Sequence, residues 1–122
     1  MAKEYHERSC LMPLRTVAIF VAAAVAELGG TYAIWRWRRE GAPLVAVAVG
    51  LLLLLAYALV QTLQPEVRYG RVYAAYAGVF LVGAMCWAWV VDGERPDLFD
   101  GLGALVVLAG VAIVLWGRKL FP

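Results

Sequence analysis

Long apolar runs alternate with short polar and charged stretches along the whole chain. Four such runs stand out, at residues 14–35, 43–63, 71–91 and 101–116. They are continuous, whereas the strands of a membrane barrel alternate between polar and apolar residues. A helix that crosses about 30 Å of hydrocarbon needs roughly 17–25 residues, so the first three runs predict transmembrane helices. The fourth run is slightly short, and must stand nearly upright or begin inside the acidic loop before it.

The composition also indicates an integral membrane protein. Hydrophobic residues make up 64% of the chain, against about 45–50% in soluble domains. Short loops make consecutive helices antiparallel neighbours. We therefore predict an all-α integral membrane fold with four transmembrane helices in residues 14–118, a polar N-terminal tail at 1–13 and a short C-terminal tail at 119–122.

Basic residues are distributed almost evenly between the two sides of this predicted topology. With the N-terminus in the cytoplasm, and the tail set aside, the cations inside are Arg15, Arg68, Arg71, Arg118 and Lys119. The cations outside are Arg36, Arg38, Arg39 and Arg95. The positive-inside rule therefore gives only a weak preference, and a dual topology is compatible with this distribution.

Glu27 is the one acidic residue in the first apolar run. A charged side chain near the bilayer centre costs at least roughly 2.5–3.5 kcal/mol, and such residues usually serve a function. Ala23, Gly30 and Thr31 lie three or four positions from Glu27 and share its helix face. These small neighbours can line a cavity, or they can allow another helix to approach closely.

Aromatic residues recur at intervals of three and four along the third run. The residues on this face include Tyr69, Tyr73, Tyr76, Phe80 and Trp87. Such a stripe is by itself typical of helix packing. Aromatic rings also attract cations, with about 2 kcal/mol for a desolvated contact. Beside an intramembrane carboxylate, the stripe therefore favours a cation-binding site.

A carboxyl group inside the membrane is expected to bind a proton, because burial disfavours its charged form. If Glu27 binds either a proton or an organic cation, each displaces the other and exchange follows directly. The structural alternative is a protonated Glu27 that hydrogen-bonds to a neighbouring helix. Four helices cannot easily enclose a substrate path, so we expect two copies, related by the inverted symmetry known from transporter repeats.

Glycines recur every seven residues along the fourth run, at Gly103, Gly110 and Gly117. Small residues on one face let helices approach closely in lipid, so this seam predicts a helix–helix or dimer contact. The second run is nearly featureless and is expected to face lipid. In the acidic loop, Asp97 or Asp100 is expected to cap the fourth helix.

Three motifs resemble the YnfA-like family of small four-span inner-membrane proteins. They are AELGGTYAIWRW at 26–37, GRVYAAYAGV at 70–79 and WAWVVDG at 87–93. The resemblance covers roughly residues 14–118. That family is in turn similar to the small multidrug resistance transporters, which carry Ala-Glu followed by Gly-Thr in the first span. Their third span carries Tyr-Ala-x-aromatic-x-Gly-Val, which resembles residues 73–79 here.

The resemblance implies a shared proton and substrate site at Glu27, a pocket aromatic pair at Tyr73 and Tyr76, and an antiparallel homodimer in the bacterial inner membrane. Ala23, Gly30, Thr31, Phe80 and Trp87 are then expected to line the pocket. The predicted function is proton-coupled export of small organic cations by alternating access. The alternative is a non-catalytic accessory or assembly subunit of a membrane complex. We expect no enzymatic activity, cofactor, metal or nucleic-acid partner.

Overall fold

The computed structural model describes residues 2–65 and 68–120, and the side chains of residues 14–65 and 68–119. These ranges contain the helices α1 (Ala2–Glu40), α2 (Val45–Gln61), α3 (Tyr69–Val90) and α4 (Leu98–Leu120). The predicted all-helical class is confirmed. The backbone of residues 2–13, predicted as a polar tail, continues α1, while the side chains of that segment lie outside the described residues.

Three of the described helices are long and apolar enough to cross a membrane, namely Leu14–Glu40, Tyr69–Val90 and Leu98–Lys119. The fourth predicted run thus gains its length by beginning inside the acidic loop. The second run is the short one, because α2 has 17 residues, about 25 Å of helix. Tight turns replace the helix at both ends of that run. At the C-terminal end, for example, the Thr62 N–H donates to the Leu59 carbonyl at 3.1 Å.

The helices form two hairpins, α1 with α2 and α3 with α4. In both hairpins the first helix is followed by a glycine in the left-handed region, Gly41 with φ 70° and Gly93 with φ 76°. The next backbone N–H returns to a carbonyl six residues earlier. These bonds join Ala42 to Arg36 (3.2 Å) and Glu94 to Ala88 (2.9 Å). Because glycine has no Cβ, it adopts this conformation without the steric cost that other residues incur.

The first turn of α4 is closed by two aspartates, which confirms the predicted cap. The Asp100 N–H donates to Asp97 Oδ1 at 2.8 Å, and the Asp97 N–H donates to Asp100 Oδ2 at 2.9 Å. This reciprocal pair satisfies backbone donors that the start of a helix leaves without partners. The negative charges of the two aspartates also interact favourably with the positive end of the helix dipole, which stabilises the start of α4. The cap explains why α4 begins at Leu98, three residues before the apolar run.

Helices α1 and α2 cross at a pair of glycines, Gly30 and Gly50. A Cβ built on Gly30 would lie 2.9 Å from the Gly50 carbonyl oxygen, and one built on Gly50 would lie 2.7 Å from the Gly30 oxygen. Both glycines are buried. The missing side chains therefore let the two backbones touch, which is how helices in lipid gain van der Waals contact. The second run, expected to face lipid, supplies half of this contact.

Helices α3 and α4 meet at Gly78, where a Cβ would lie 3.0 Å from Leu108 Cδ2. The glycine at this contact comes from α3. Among the described residues, Gly103 and Gly110 have no neighbouring atom within 4 Å of a built Cβ, so the second hairpin shows no helix contact at these two glycines. No residue in the apolar window of α4 is buried. A helix–helix or dimer contact at Gly103, Gly110 and Gly117 stays a prediction.

A long polar side chain ties the two helices together at the open end of each hairpin. In the first hairpin, Gln64 Nε2 donates to the Thr16 carbonyl at 3.3 Å. In the second, Arg71 Nη1 donates to the carbonyls of Val114 at 3.2 Å and Leu115 at 3.4 Å. Hydrogen bonds from a charged donor contribute about 1.5–3 kcal/mol, more than neutral ones. Each hairpin is thus fixed both at its turn and at its open end.

Candidate functional site

Glu27 lies on the part of α1 that is most closely packed. It follows Ala23, which is fully buried, by one helical turn and precedes the buried Gly30 by three residues. The Glu27 side chain itself is partly buried. The acid therefore lies less than one turn from the Gly30–Gly50 crossing. This crossing limits how far α1 can slide or rotate against α2, so it fixes the position from which the carboxyl group projects.

Within the first hairpin, the small residues around Glu27 have different surroundings. Gly30 lies against the backbone of α2 at Gly50. Within this hairpin it therefore allows the close approach of another helix, which is one of the two roles predicted for the small residues. Thr31 is exposed, and its hydroxyl donates back to the Glu27 carbonyl at 2.8 Å. A hydroxyl bonded to its own helix in this way needs no other polar partner in an apolar environment. The pocket-lining roles of Ala23, Gly30 and Thr31 stay predictions.

The aromatic stripe on α3 is a continuous ladder of four rings. Centroid distances are 5.0 Å from Tyr69 to Tyr73, 6.2 Å from Tyr73 to Tyr76 and 5.7 Å from Tyr76 to Phe80. Tyr73 and Tyr76 meet edge to face, at an interplanar angle of 66°. Tilted and edge-to-face pairs are the favourable arrangements for aromatic rings. The spacing-based prediction of a shared face is confirmed for these four residues.

The ladder changes from exposed to buried along its length. Tyr73 is 41% exposed, whereas Tyr76, one turn further, is 4% exposed. Phe80 and Trp87 are partly buried. The Tyr76 side chain is thus enclosed by its neighbours, while part of the Tyr73 side chain remains exposed. Of the two tyrosines predicted to bind substrate, Tyr73 has the more exposed side chain and Tyr76 the buried one.

Glu27 belongs to the first hairpin, and Tyr73 and Tyr76 belong to the second. The pairing of this carboxyl group with these rings stays a prediction. The assignments of Glu27 as the proton and substrate site, and of Phe80 and Trp87 as pocket-lining residues, likewise stay predictions. The structure describes each half of the predicted site separately. In the first hairpin, the Glu27 carboxyl group lies close to the Gly30–Gly50 crossing. In the second, four aromatic rings form a ladder on α3.

Two residues of α2, Gly50 and Gln61, are distinguished by the structure, and only Gln61 carries a clear signal in the sequence. Gly50 is the one glycine in α2, and a single glycine in an apolar helix gives no repeat to recognise. Gln61, in the last turn of α2, has its side-chain nitrogen and oxygen buried with no hydrogen-bond partner in the described part of the chain. An unsatisfied buried polar group costs about 1–3 kcal/mol. Its signal was available, since Gln61 is the one strongly polar side chain in α2.

The model of a family described as "Uncharacterised BCR, YnfA/UPF0060 family" matches residues 13–120. A UPF0060 membrane protein from Kineococcus radiotolerans is 50% identical over 106 residues, which covers 87% of this chain and 96% of that protein. The UPF0060 membrane protein YfjF from Bacillus subtilis is 46% identical over 108 residues, which covers 88% of this chain and 99% of the relative. No solved structure matches the chain significantly.

Proposed function

This chain belongs to the YnfA/UPF0060 family of membrane proteins, and from that premise we propose that it exports small organic cations in exchange for protons. The proposed location is the bacterial inner membrane. The proposed working unit is a homodimer that alternates between two access states. Neither an enzymatic step nor a cofactor is part of the proposal.

The observation that carries the proposal is the position of Glu27. It is a partly buried acid on a helix that is long and apolar enough to cross a membrane, less than one turn from the tightest helix contact in the hairpin. Ionisable residues within membrane spans face the protein interior or a water-filled cavity, and they mark ion and substrate pathways. The fixed backbone at Gly30 supports this role, because a binding group needs a defined position.

In the proposed cycle, the ionised Glu27 binds an organic cation from the cytoplasm, and the ladder on α3 contributes ring faces. Cation–ring contacts gain strength where water is excluded. After the change of access, a proton from the outer side protonates the Glu27 carboxylate. The cation then loses its counter-charge and is released. The protonated carboxyl group then returns inward and loses its proton, so that one group couples the two movements.

Two copies of the chain give this cycle its symmetry. The even distribution of basic residues favours insertion in both orientations. An antiparallel pair would have the inverted symmetry that many transporters build into one chain, with sites near the bilayer midplane.

The exposure of α4 favours a second candidate function, that of an accessory or assembly subunit. None of the residues in the apolar window of α4 is buried, and Gly103 and Gly110 are open to a partner helix. In that role Glu27 is a hydrogen-bonding group at a helix contact. Because glutamine keeps this capacity, Glu27→Gln would leave assembly and activity nearly intact.

Proton release on cation binding distinguishes the two functions. We expect tetraphenylphosphonium to release protons from the detergent-purified protein in weakly buffered solution, and Glu27→Gln to abolish the release. Glu94→Gln is the matched control, because it removes an exposed carboxylate of the α3–α4 loop and should release as many protons as the wild type. Equal release by the wild type and Glu27→Gln, or none from either, would contradict the exchange function.

A further inference from the structure

The interface between α1 and α2 changes character at the level of Glu27. Two contacts fix how the antiparallel helices are aligned: Gly30 lies against Gly50, and Gln64 Nε2 donates to the Thr16 carbonyl. Between these contacts, each step toward the start of α1 is matched by a step toward the end of α2. Glu27 lies within this interval, three residues from Gly30.

Toward the turn of the hairpin, this interface is closed. A Cβ built on Gly50 would lie 2.7 Å from the Gly30 oxygen and 2.7 Å from Ile34 Cγ1. One built on Gly30 would lie 3.0 Å from Leu54 Cγ. Contacts this close leave no room for a water molecule between the two backbones. A proton on Glu27 therefore does not leave through this part of the hairpin.

Toward the open end of the hairpin, α2 places polar side chains along the interface. They are Tyr57, Gln61 and Gln64, all partly buried. Intervals of three and four keep them on one helix face, and they extend over about 10 Å. Tyr57 lies three residues after Leu54, and Glu27 lies three residues before Gly30. Because Leu54 and Gly30 are in contact, the phenol and the carboxyl group lie at the same level of the interface.

Gln61 marks the point on this polar face that lacks a hydrogen-bond partner. Its side-chain nitrogen and oxygen are both buried, and neither has a partner in the described part of the chain. Gln64, one turn further, uses its own amide to bind the Thr16 carbonyl. Burying an amide is costly unless it is paired. Water is the smallest molecule that accepts from the nitrogen and donates to the oxygen at once.

We propose that a proton leaves Glu27 along the polar part of this interface, through the Tyr57 hydroxyl and a water molecule that Gln61 holds, toward Thr16 and Gln64. This route rests on the proposed exchange at Glu27. With the N-terminus in the cytoplasm it leads inward, to the side on which the proposed cycle loses its proton. Chains of polar groups within membrane spans serve as proton relays.

Each transfer along the route breaks one O–H bond and forms another. The Glu27 carboxyl group gives its proton to the Tyr57 oxygen, the Tyr57 hydroxyl gives its own proton to the water, and the water passes one to the solution. The carboxylate is left ionised, and the hydroxyl and the water are restored. Gln61 is a positioning residue, because its amide orients the water and carries no proton itself.

The rate of proton release after addition of tetraphenylphosphonium tests the route. It is followed by stopped flow with a pH-indicator dye on the detergent-purified full chain. Gln61→Leu removes the amide, Tyr57→Phe removes the hydroxyl alone, and Gln61→His keeps a donor and an acceptor. The matched control is Thr62→Val. It removes a neighbouring hydroxyl that is exposed and donates to the Leu59 carbonyl at 2.6 Å.

We expect Gln61→Leu to release as many protons as the wild type, because the equilibrium at Glu27 does not depend on the route. The release should be about tenfold slower, the effect of one lost hydrogen bond in the relay. Tyr57→Phe should also be slower, Gln61→His should regain much of the rate, and Thr62→Val should keep it. The melting temperature of Gln61→Leu should equal or exceed that of the wild type, since leucine leaves no buried polar atom unpaired.

Release at the wild-type rate by either Gln61→Leu or Tyr57→Phe would overturn the route and leave the exchange function intact. Slowing of Thr62→Val to the same extent would also overturn it. A clearly lower melting temperature for Gln61→Leu would show that the amide already has a partner, with the same consequence. No release from the wild type would overturn the exchange function itself, and the route with it.

Discussion

Alanine at Gly30 is expected to lower the melting temperature of the protein, whereas alanine at the adjacent Gly29 should leave it unchanged or raise it. A Cβ on Gly30 would lie 2.9 Å from the Gly50 carbonyl oxygen and 3.0 Å from Leu54 Cγ. The first of these is a backbone atom, so α2 must move away to make room. Overpacking of this kind typically costs about 1–3 kcal/mol.

Gly29 provides the matched control, because it lies in the same helix and the same sequence motif. A Cβ there would lie 3.6 Å from Leu53 Cδ1, an ordinary van der Waals distance. Alanine also favours helix over glycine by about 0.5–1 kcal/mol. Gly50→Ala should act like Gly30→Ala, since its Cβ would lie 2.7 Å from the Gly30 oxygen. Tryptophan fluorescence during heating in detergent measures all three, and equal melting of Gly29→Ala and Gly30→Ala would contradict the crossing.

Glutamine at Glu27 is expected to reduce cation transport to the level of empty vesicles. Glutamine has nearly the same shape as glutamate, so the helix crossing should persist, but it neither carries a charge nor exchanges a proton. Proteoliposomes with an imposed pH gradient and a fluorescent organic cation measure the transport. Glu27→Asp should retain gradient-driven transport at a lower rate, because it keeps the carboxyl group on a side chain shorter by one methylene.

Two controls separate a loss of exchange from a loss of folding. Glu94→Gln should transport like the wild type, since it removes a carboxylate outside the helices. The melting temperature of Glu27→Gln should stay close to that of the wild type. Transport by a well-folded Glu27→Gln at the wild-type rate would exclude this residue as the coupling group, and would favour a structural role for it.

The helices and the aromatic ladder follow from local patterns, which is why the sequence predicts them well. Apolar runs of spanning length indicate membrane helices. Residues three or four apart on a helix are neighbours wherever the helix lies, so contacts such as that between Tyr73 and Tyr76 need no tertiary information. The capping aspartates are local as well, because Asp97 and Asp100 are three residues apart.

Contacts between helices do not follow from such patterns. Gly103 and Gly110 form a regular seam with no described atom within 4 Å of a built Cβ, whereas Gly30 and Gly50, on two different helices, bring the backbones of α1 and α2 together. The backbones approach where two faces happen to match, and a repeat along one helix does not specify the partner face. For the same reason the sequence locates Glu27 as an anomaly but cannot identify what lies opposite it.

The affinity of the purified protein for tetraphenylphosphonium, measured as a function of pH, tests most directly whether one carboxylate binds both ligands. If protons and the cation compete for Glu27, the apparent Kd should rise steadily as the pH falls, because protonation removes the binding form. In Glu27→Gln, any remaining binding should not depend on pH in this way. A wild-type Kd that stays constant across the pH range, or a pH dependence that Glu27→Gln retains in full, would contradict the account.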